Sequence, residues 1–427
     1  MTSAPGEPSG GPAAPVPHDP YAALRVPPFR WFILSLFAMT LGAQIQFIAV
    51  QWQTYAITHD PLSLGLLGLF EAVPRIGFAM FGGHVADRFN RRRVSLVSLA
   101  VLVVVALVFF WFSLNTGWMA VHGVWPYYGA IAVNGVAFSF LQPARNALGA
   151  ELVKRELYPN AVAWRSSTWQ SGAVVGPAVG GLLYGFASPT IAYAVQAILM
   201  IIALAAFMVV AYEAKAIPRS AEPIIQSLAG GIRFVWKERV LLGAQTLDLF
   251  SVFLGGAEAL LPVFADQILH VGPKGLGILR AAPAAGAVLM SLYLAHRPPF
   301  KRAGRSLLCC VATFALCIVG FGLSRSFSLS LVLLLISGMA DNVSVLIRST
   351  MIQVLTPHHL LGRVTAVNSI FVGSSNELGA FESGLTARLF GTVPAVIGGG
   401  LASLGVVGIV ALTVPRLRRM REISGAD

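Results

Sequence analysis

From Trp31 to Val414 the chain alternates apolar runs of about twenty residues with short polar breaks. Twenty residues of helix rise about 30 Å, enough to cross the hydrocarbon core of a bilayer. In hydrocarbon every backbone N–H and C=O must find its partner within the chain, which helices provide. The alternating segments of about ten residues that mark a β-barrel are absent from this sequence. The pattern predicts an all-α membrane protein with twelve transmembrane helices, over 31–57, 62–86, 94–114, 125–150, 160–186, 189–212, 241–267, 275–295, 306–323, 327–352, 363–389 and 392–414. The expected organisation is a tail over 1–28, a six-helix bundle over 29–212, a linker over 213–240, a second six-helix bundle over 241–414 and a basic tail over 415–427.

Composition agrees with the pattern. Hydrophobic residues make up 56% of the chain and charged residues 11%, against roughly 25% charged in a soluble domain. The net charge of +12 would suit a nucleic-acid binder if it formed a patch. It does not: counting Arg363 and Arg388, at the two ends of the eleventh span, with the breaks they adjoin, the even-numbered breaks and both tails hold 22 of the 30 Lys and Arg, the odd-numbered breaks hold only Lys274, Arg325 and Arg388, and five lie inside spans. That asymmetry excludes a nucleic-acid partner and places both termini and the 213–240 linker in the cytoplasm. Residues 1–28, rich in Pro, Gly, Ala and Ser, lack the charged-then-apolar order of a signal peptide and are expected to be disordered. Cys309, Cys310 and Cys317 share one apolar segment and read as small hydrophobes; no metal or cofactor spacing is present.

The halves echo each other at a constant offset. Arg145 matches Arg348, Leu157 matches Leu360, Ala163 matches Ala366, Ser166 matches Ser369, Gly176 matches Gly379 and Gly181 matches Gly384. Six identities at one offset, each at the same place in its half, indicate duplication, and parallel six-helix repeats place a substrate site at their interface.

Two motifs stand out. Between the second and third spans runs Gly82-Gly83-His84-Val85-Ala86-Asp87-Arg88-Phe89-Asn90-Arg91-Arg92-Arg93. Arginines there serve topology, but Asp87 does not; Gly83 would let two helices approach, with Asp87 taking the arginines or a helix N-terminus as partner. These residues resemble the signature loop of the major facilitator superfamily, G-x-x-x-D-[RK]-x-G-[RK]-[RK]. Asn90 replaces the usual glycine and tolerates the same left-handed backbone. The resemblance implies a cytoplasmic gating loop made by Gly83, Asp87, Arg88, Arg91 and Arg92. The fifth span carries Gly172-x3-Gly176-Pro177-x2-Gly180-Gly181. Small residues four apart make a flat packing face; the pattern also resembles the antiporter motif of the superfamily's exporters, with Ala163 where an upstream glycine is usual. Further stretches, Gly230-Gly231-Ile232-Arg233-Phe234, Thr350-Met351-Ile352-Gln353, Thr356-Pro357 and Leu361-Gly362-Arg363, are similar to the enterobactin-exporter (siderophore) branch.

Charges inside spans are costly and point to function. Glu71 and Arg75 sit one turn apart and can pair. Asp248 and Glu258 are ten residues apart on the seventh span, close to three turns and so on one face; Asp341 and Arg348 are seven apart on one face of the tenth, where Arg348, near the cytoplasmic end, can snorkel to the interface; and the eleventh holds Glu377 and Glu382. A carboxylate in low dielectric can exchange protons near neutral pH, which makes Glu258, then Asp341, Asp248 and Glu377 candidates for proton coupling. Gln44 and Gln51 share a face of the first span beside Gln46, Trp52 and Gln53. Gln44, Gln51 and Trp52, with Phe138 of the fourth span, are candidate cavity residues. The fourth span reads Asn134-Gly135-Val136-Ala137-Phe138 where the superfamily's drug exporters usually carry an arginine. The expectation is a monomeric, cofactor-free exporter of a siderophore-like or drug-like organic molecule, driven by protons through alternating access. An uptake transporter is the nearest alternative and a membrane receptor or scaffold a more distant one; a membrane-embedded enzyme would need a nucleophile–base pair or intramembrane metal ligands, which the sequence lacks.

Overall fold

The computed structural model describes residues 19–212, 224–296, 302–357 and 360–420. It contains twelve long helical segments: α1 (Pro27–Thr58), α2 (Pro61–Arg88), α3 (Arg91–Leu114), α4 (Trp125–Glu151), α5 (Tyr158–Leu182), α6 (Pro189–Val209), α7 (Arg239–Ile268), α8 (Gly272–Ala295), α9 (Ala303–Leu323), α10 (Phe327–Leu355), α11 (Leu361–Phe390) and α12 (Thr392–Thr413). Among the described residues, nine are long and apolar enough to cross a membrane, and a tenth counts if α4 is taken with the short helix Thr116–His122, from which it bends by 93°. The remaining two, α5 and α11, are the more polar ones. Both face other helices: α5 packs on α1 and α8, and α11 on α2 and α7.

Helix ends follow local chemistry. Proline opens α1, α2, α6 and α8 within the first turn, where its missing N–H costs nothing. Asp60, Ser188 and Glu238 cap α2, α6 and α7 by accepting backbone N–H bonds. Asn90 does the same for α3, its Oδ1 accepting from Arg92 N and Arg93 N, with φ −59°. The left-handed backbone expected at Asn90 is therefore absent; capping accounts for the asparagine.

Two expectations about the breaks change. Residues 1–18, 213–223 and 421–427 lie outside the described residues. Residues 19–26, expected in the disordered tail, are anchored: Asn160 Nδ2 and Trp164 Nε1 donate to Pro20 O at 2.8 and 2.9 Å, and Ala23 N donates to Asn160 Oδ1 at 3.0 Å. Within the linker, Ile224–Lys237 is an amphipathic helix lying against the start of α11, so the two stretches around Gly231 and Arg363 meet.

The buried core divides in an informative way. Near the face where α1 begins and α12 ends, each half has its own cluster, one around Phe29, Phe32, Leu141 and Phe207, the other around Leu241, Leu307, Ile347 and Met351. Near the opposite face a single cluster runs across both halves and joins Ile45, Tyr127 and Tyr193 to Leu260, Phe264 and Phe321. The halves are thus fused at one face and separate at the other.

Candidate functional site

The fused face depends on two helix crossings that repeat each other. In one, Gly384 of α11 meets α2: a methyl group on Gly384 would lie 2.9 Å from Gly65 Cα and 2.9 Å from Pro61 O. In the other, Gly181 of α5 meets α8, where a methyl group would lie 2.6 Å from both Gly277 Cα and Pro273 O. Only hydrogen fits, so the backbones touch and seal the cavity at that face. Asp60 pairs with Arg388 across the α2–α11 seam at 3.3 Å. Lys274 Nζ sits 3.2 Å from the Phe186 ring centroid across the α5–α8 seam.

The fifth-helix motif divides its labour accordingly. Gly172, Gly176 and Gly180 pack within the first half, against Thr40, Gln44 and Ile45 of α1. Pro177 and Gly181 face Gly277 in the other half. At the loop after α2, the close-packing glycine is Gly82, which abuts the Ser139 backbone; Gly83 meets open space. A one-residue step turns a helical position by about 100°, and it is Gly82 that faces α4. Asp87 is exposed and reaches Arg91 at 4.0 Å. Arg91 in turn pairs with Glu151 at the end of α4, and Tyr212 donates to Glu151 at 2.6 Å. Burial and the Glu151 carboxylate push the Tyr212 hydroxyl up to about 12. Arg92 donates to Met208 O at 2.6 Å, while Arg88 is exposed. All four of these contacts stay within the first half.

Between the halves lies a cavity of about 490 Å³. Apolar and aromatic side chains, among them Phe47, Leu67, Ile131, Trp169 and Phe314, make most of its wall. Six charged residues break that wall: Glu71, Arg75, Glu258, Arg280, Asp341 and Glu377. Arg75 lies between Glu71 of its own helix at 3.7 Å and Glu377 of the other half at 3.8 Å; it also donates to Gln142 at 3.3 Å. Glu258 pairs with Arg280 at 2.7 Å, and that guanidinium lies 4.7 Å from the Phe47 ring centroid. Asp341 has no ion pair or hydrogen bond among the described residues; Arg348, Asp248 and Glu258 are within electrostatic reach.

Several sequence expectations are redrawn by these contacts. Asp248 and Glu258 do not share a helix face, because α7 breaks at Gly255–Gly256 before a 3-10 turn over Ala257–Leu260. Asp248 is buried and pairs with Arg348, away from the cavity, and Arg348 is a buried partner, not a residue reaching for the interface. Of the polar and aromatic candidates, Gln44 and Gln51 line the cavity. Trp52 instead packs against the fused core, and Phe138 lies beneath Arg75 against the first-half core. Gln46 accepts from Gln196 at 2.8 Å as a helix-to-helix tie. Arg280 and Trp169 also line the cavity, beyond the sequence candidates. Arg280 was legible as an intramembrane charge; Trp169 carried no signal, since an aromatic residue on a membrane helix is ordinary until its neighbours are known.

Residues 18–426 match the family described as transmembrane secretion effector. The chain is 27% identical over 411 residues to the enterobactin exporter EntS of Shigella boydii, covering 93% of this chain and 94% of the relative. Among solved structures it resembles a peptide transporter POT in complex with sulfate, at TM-score 0.70 and 13% identity over 95% of this chain and 100% of the other. It also resembles a bacterial homologue of the human lysosomal transporter Spinster in an inward-facing, unoccupied conformation, at TM-score 0.69, 13% identity and the same coverage.

Proposed function

The chain belongs to the transmembrane secretion effector family of the major facilitator superfamily, a multi-pass membrane transporter and not an enzyme, and from that premise we propose that it exports a small organic molecule across the cytoplasmic membrane by proton antiport. All twelve long helices are spans in this reading, and the arginine-rich breaks set both termini in the cytoplasm. The open face is then cytoplasmic and the fused face external, so the structure is an inward-open state ready to load. The protein works as a monomer, with the path between its own halves.

The observation that carries the coupling is the Arg75–Glu377 pair. Inside the cavity it joins the two halves, α2 to α11. Glu258–Arg280 and Asp248–Arg348 each lie within the second half and can move as rigid units. Opening the external face must separate α2 from α11 and withdraw Arg75 from Glu377. A carboxylate left without its counter-charge in an apolar wall binds a proton more readily; the return of Arg75 expels it. Proton uptake outside and release inside are thereby tied to the swing of the halves. Glu377, and not the leading sequence candidate Glu258, takes the coupling role, because its partner lies in the other half. The gating loop serves the reverse stroke, Asp87 and Arg91 meeting the second half when the cytoplasmic face closes. The glycine-rich seam and the enterobactin-exporter relatives support export over uptake.

The test uses proteoliposomes with an imposed pH gradient and a panel of siderophores and drug-like amines. Gradient-driven accumulation is expected for the wild type. Glu377→Gln should lose it and keep substrate-for-substrate exchange, which moves no net proton. Full gradient-driven accumulation by Glu377→Gln would reject this coupling site, and downhill uptake alone by the wild type would reject antiport.

A further inference from the structure

The six charges of the cavity wall are four carboxylates and two guanidiniums, an excess of two negative charges when all are ionised. Arg75 and Arg280 are already engaged with Glu71, Glu377 and Glu258. Arg145 and Arg165 do not line the cavity: Arg145 rests on the Met39 sulfur, and Arg165 is bonded to Asn146. Arg348, the cation within reach of Asp341, is taken by Asp248. Asp341 is therefore a carboxylate at the cavity with no cation of its own among the described residues. Gln51 provides a second, independent sign. Gln51 is 5% exposed and lines the same cavity, and its Oε1 has no hydrogen-bond donor among the described residues. An orphaned acceptor of that kind costs free energy until a donor reaches it.

We propose that the cavity takes an amphipathic organic cation whose protonated nitrogen pairs with Asp341 and donates to Gln51, its apolar body lying on Trp169 and Phe314. This rests on the exporter reading and narrows it to amine-bearing substrates over anionic ones. A catecholate or carboxylate would enter a wall of matching sign whose arginines are already paired, whereas an ammonium supplies the missing counter-charge. Charge-assisted hydrogen bonds are roughly twice as strong as neutral ones, so charge sets the preference while the aromatic walls tolerate different bodies.

The experiment compares three probes sharing one fluorophore: dansylcadaverine with its ammonium, its neutral N-acetyl derivative, and dansyl-aminocaproate with a carboxylate. Binding to the purified full chain is read by fluorescence. The ammonium should bind about tenfold or more tightly than either of the others. Asp341→Asn should erase that preference, Asp341→Glu should retain it, and Glu156→Gln on an exposed turn should leave it unchanged. Equal binding of the three probes by the wild type, tighter binding of the carboxylate, or a preference that survives Asp341→Asn would overturn the inference. The wild-type series decides the charge class even if a variant fails to fold. Vesicle transport of the same probes separates this from the reading beneath it. An ammonium bound but not moved by a pH gradient keeps the charge assignment and removes the export reading; a carboxylate probe exported while the ammonium is neither bound nor moved does the reverse.

Discussion

Arg145 and Arg348 occupy equivalent places in the two halves, yet they meet different partners. In the first half, Arg145 of α4 reaches the Met39 sulfur of α1 at 3.3 Å. In the second, Arg348 of α10 pairs with the Asp248 carboxylate of α7, both side chains buried. The glycines at the same offset behave otherwise. Gly176 packs on Gln44 of α1 as Gly379 packs on Phe253 of α7, and Gly181 touches Gly277 as Gly384 touches Gly65. Packing has been kept in both halves while electrostatics has diverged. A glycine crossing asks only for the absence of a side chain on two backbones. An ion pair needs two particular groups, and losing either changes the site. The cavity inherits that asymmetry: three of its four carboxylates come from the second half.

Breaking the buried pair should have the largest effect. Asp248→Ala leaves Arg348 buried without its directly paired carboxylate and should cost about 3–5 kcal/mol, read as a large fall in the thermal midpoint in detergent. Arg145→Ala removes a cation that has no acid to strand and should shift that midpoint far less. Met39→Asp sharpens the contrast, since it gives the first half the second half's pair and should raise the midpoint. Equal losses at Asp248 and Arg145 would mean the sulfur is as good a partner as the carboxylate.

Next in size are the seams. Gly384→Leu and Gly181→Leu each drive a side chain into an opposing backbone, a strain of about 1–3 kcal/mol. Both should raise labelling of an introduced external-cavity cysteine and by similar factors, because the crossings are equivalent. If Asp87 serves the proposed gate, Asp87→Asn should insert and fold normally while transport slows severalfold at equal expression. The smallest change is expected from Arg388→Ala. Its pair with Asp60 is partly exposed and worth about 0–1 kcal/mol, so accessibility from outside should barely move if the glycine seams hold the face shut.

Much of the architecture was legible in the chain. The apolar runs located the twelve helices to within several residues, since a hydrocarbon solvent enforces both helix and length. The offset identities marked the duplication, and Glu71–Arg75 was readable as a pair because four residues make one turn. The cavity was legible only in part. Gln44 and Gln51 were found through their shared face, but Trp52 and Phe138 pack into the cores, and Gly82 took the role assigned to Gly83. Asn90 was read through its backbone when its side chain was the relevant part.

Periodicity thus determined which stretches of chain form the long helices, because bilayer and helix geometry act on neighbours in sequence. Partnership was decided by the tertiary structure. Glu258 reaches Arg280, Asp248 reaches Arg348, Arg75 reaches across to Glu377, and Asp341 is left without an ion pair among the described residues, because helices distant in the chain converge there. An intramembrane charge announces that it needs a partner. Which one it gets depends on the angle at which α7 breaks and on how closely the glycines let α2 and α11 approach.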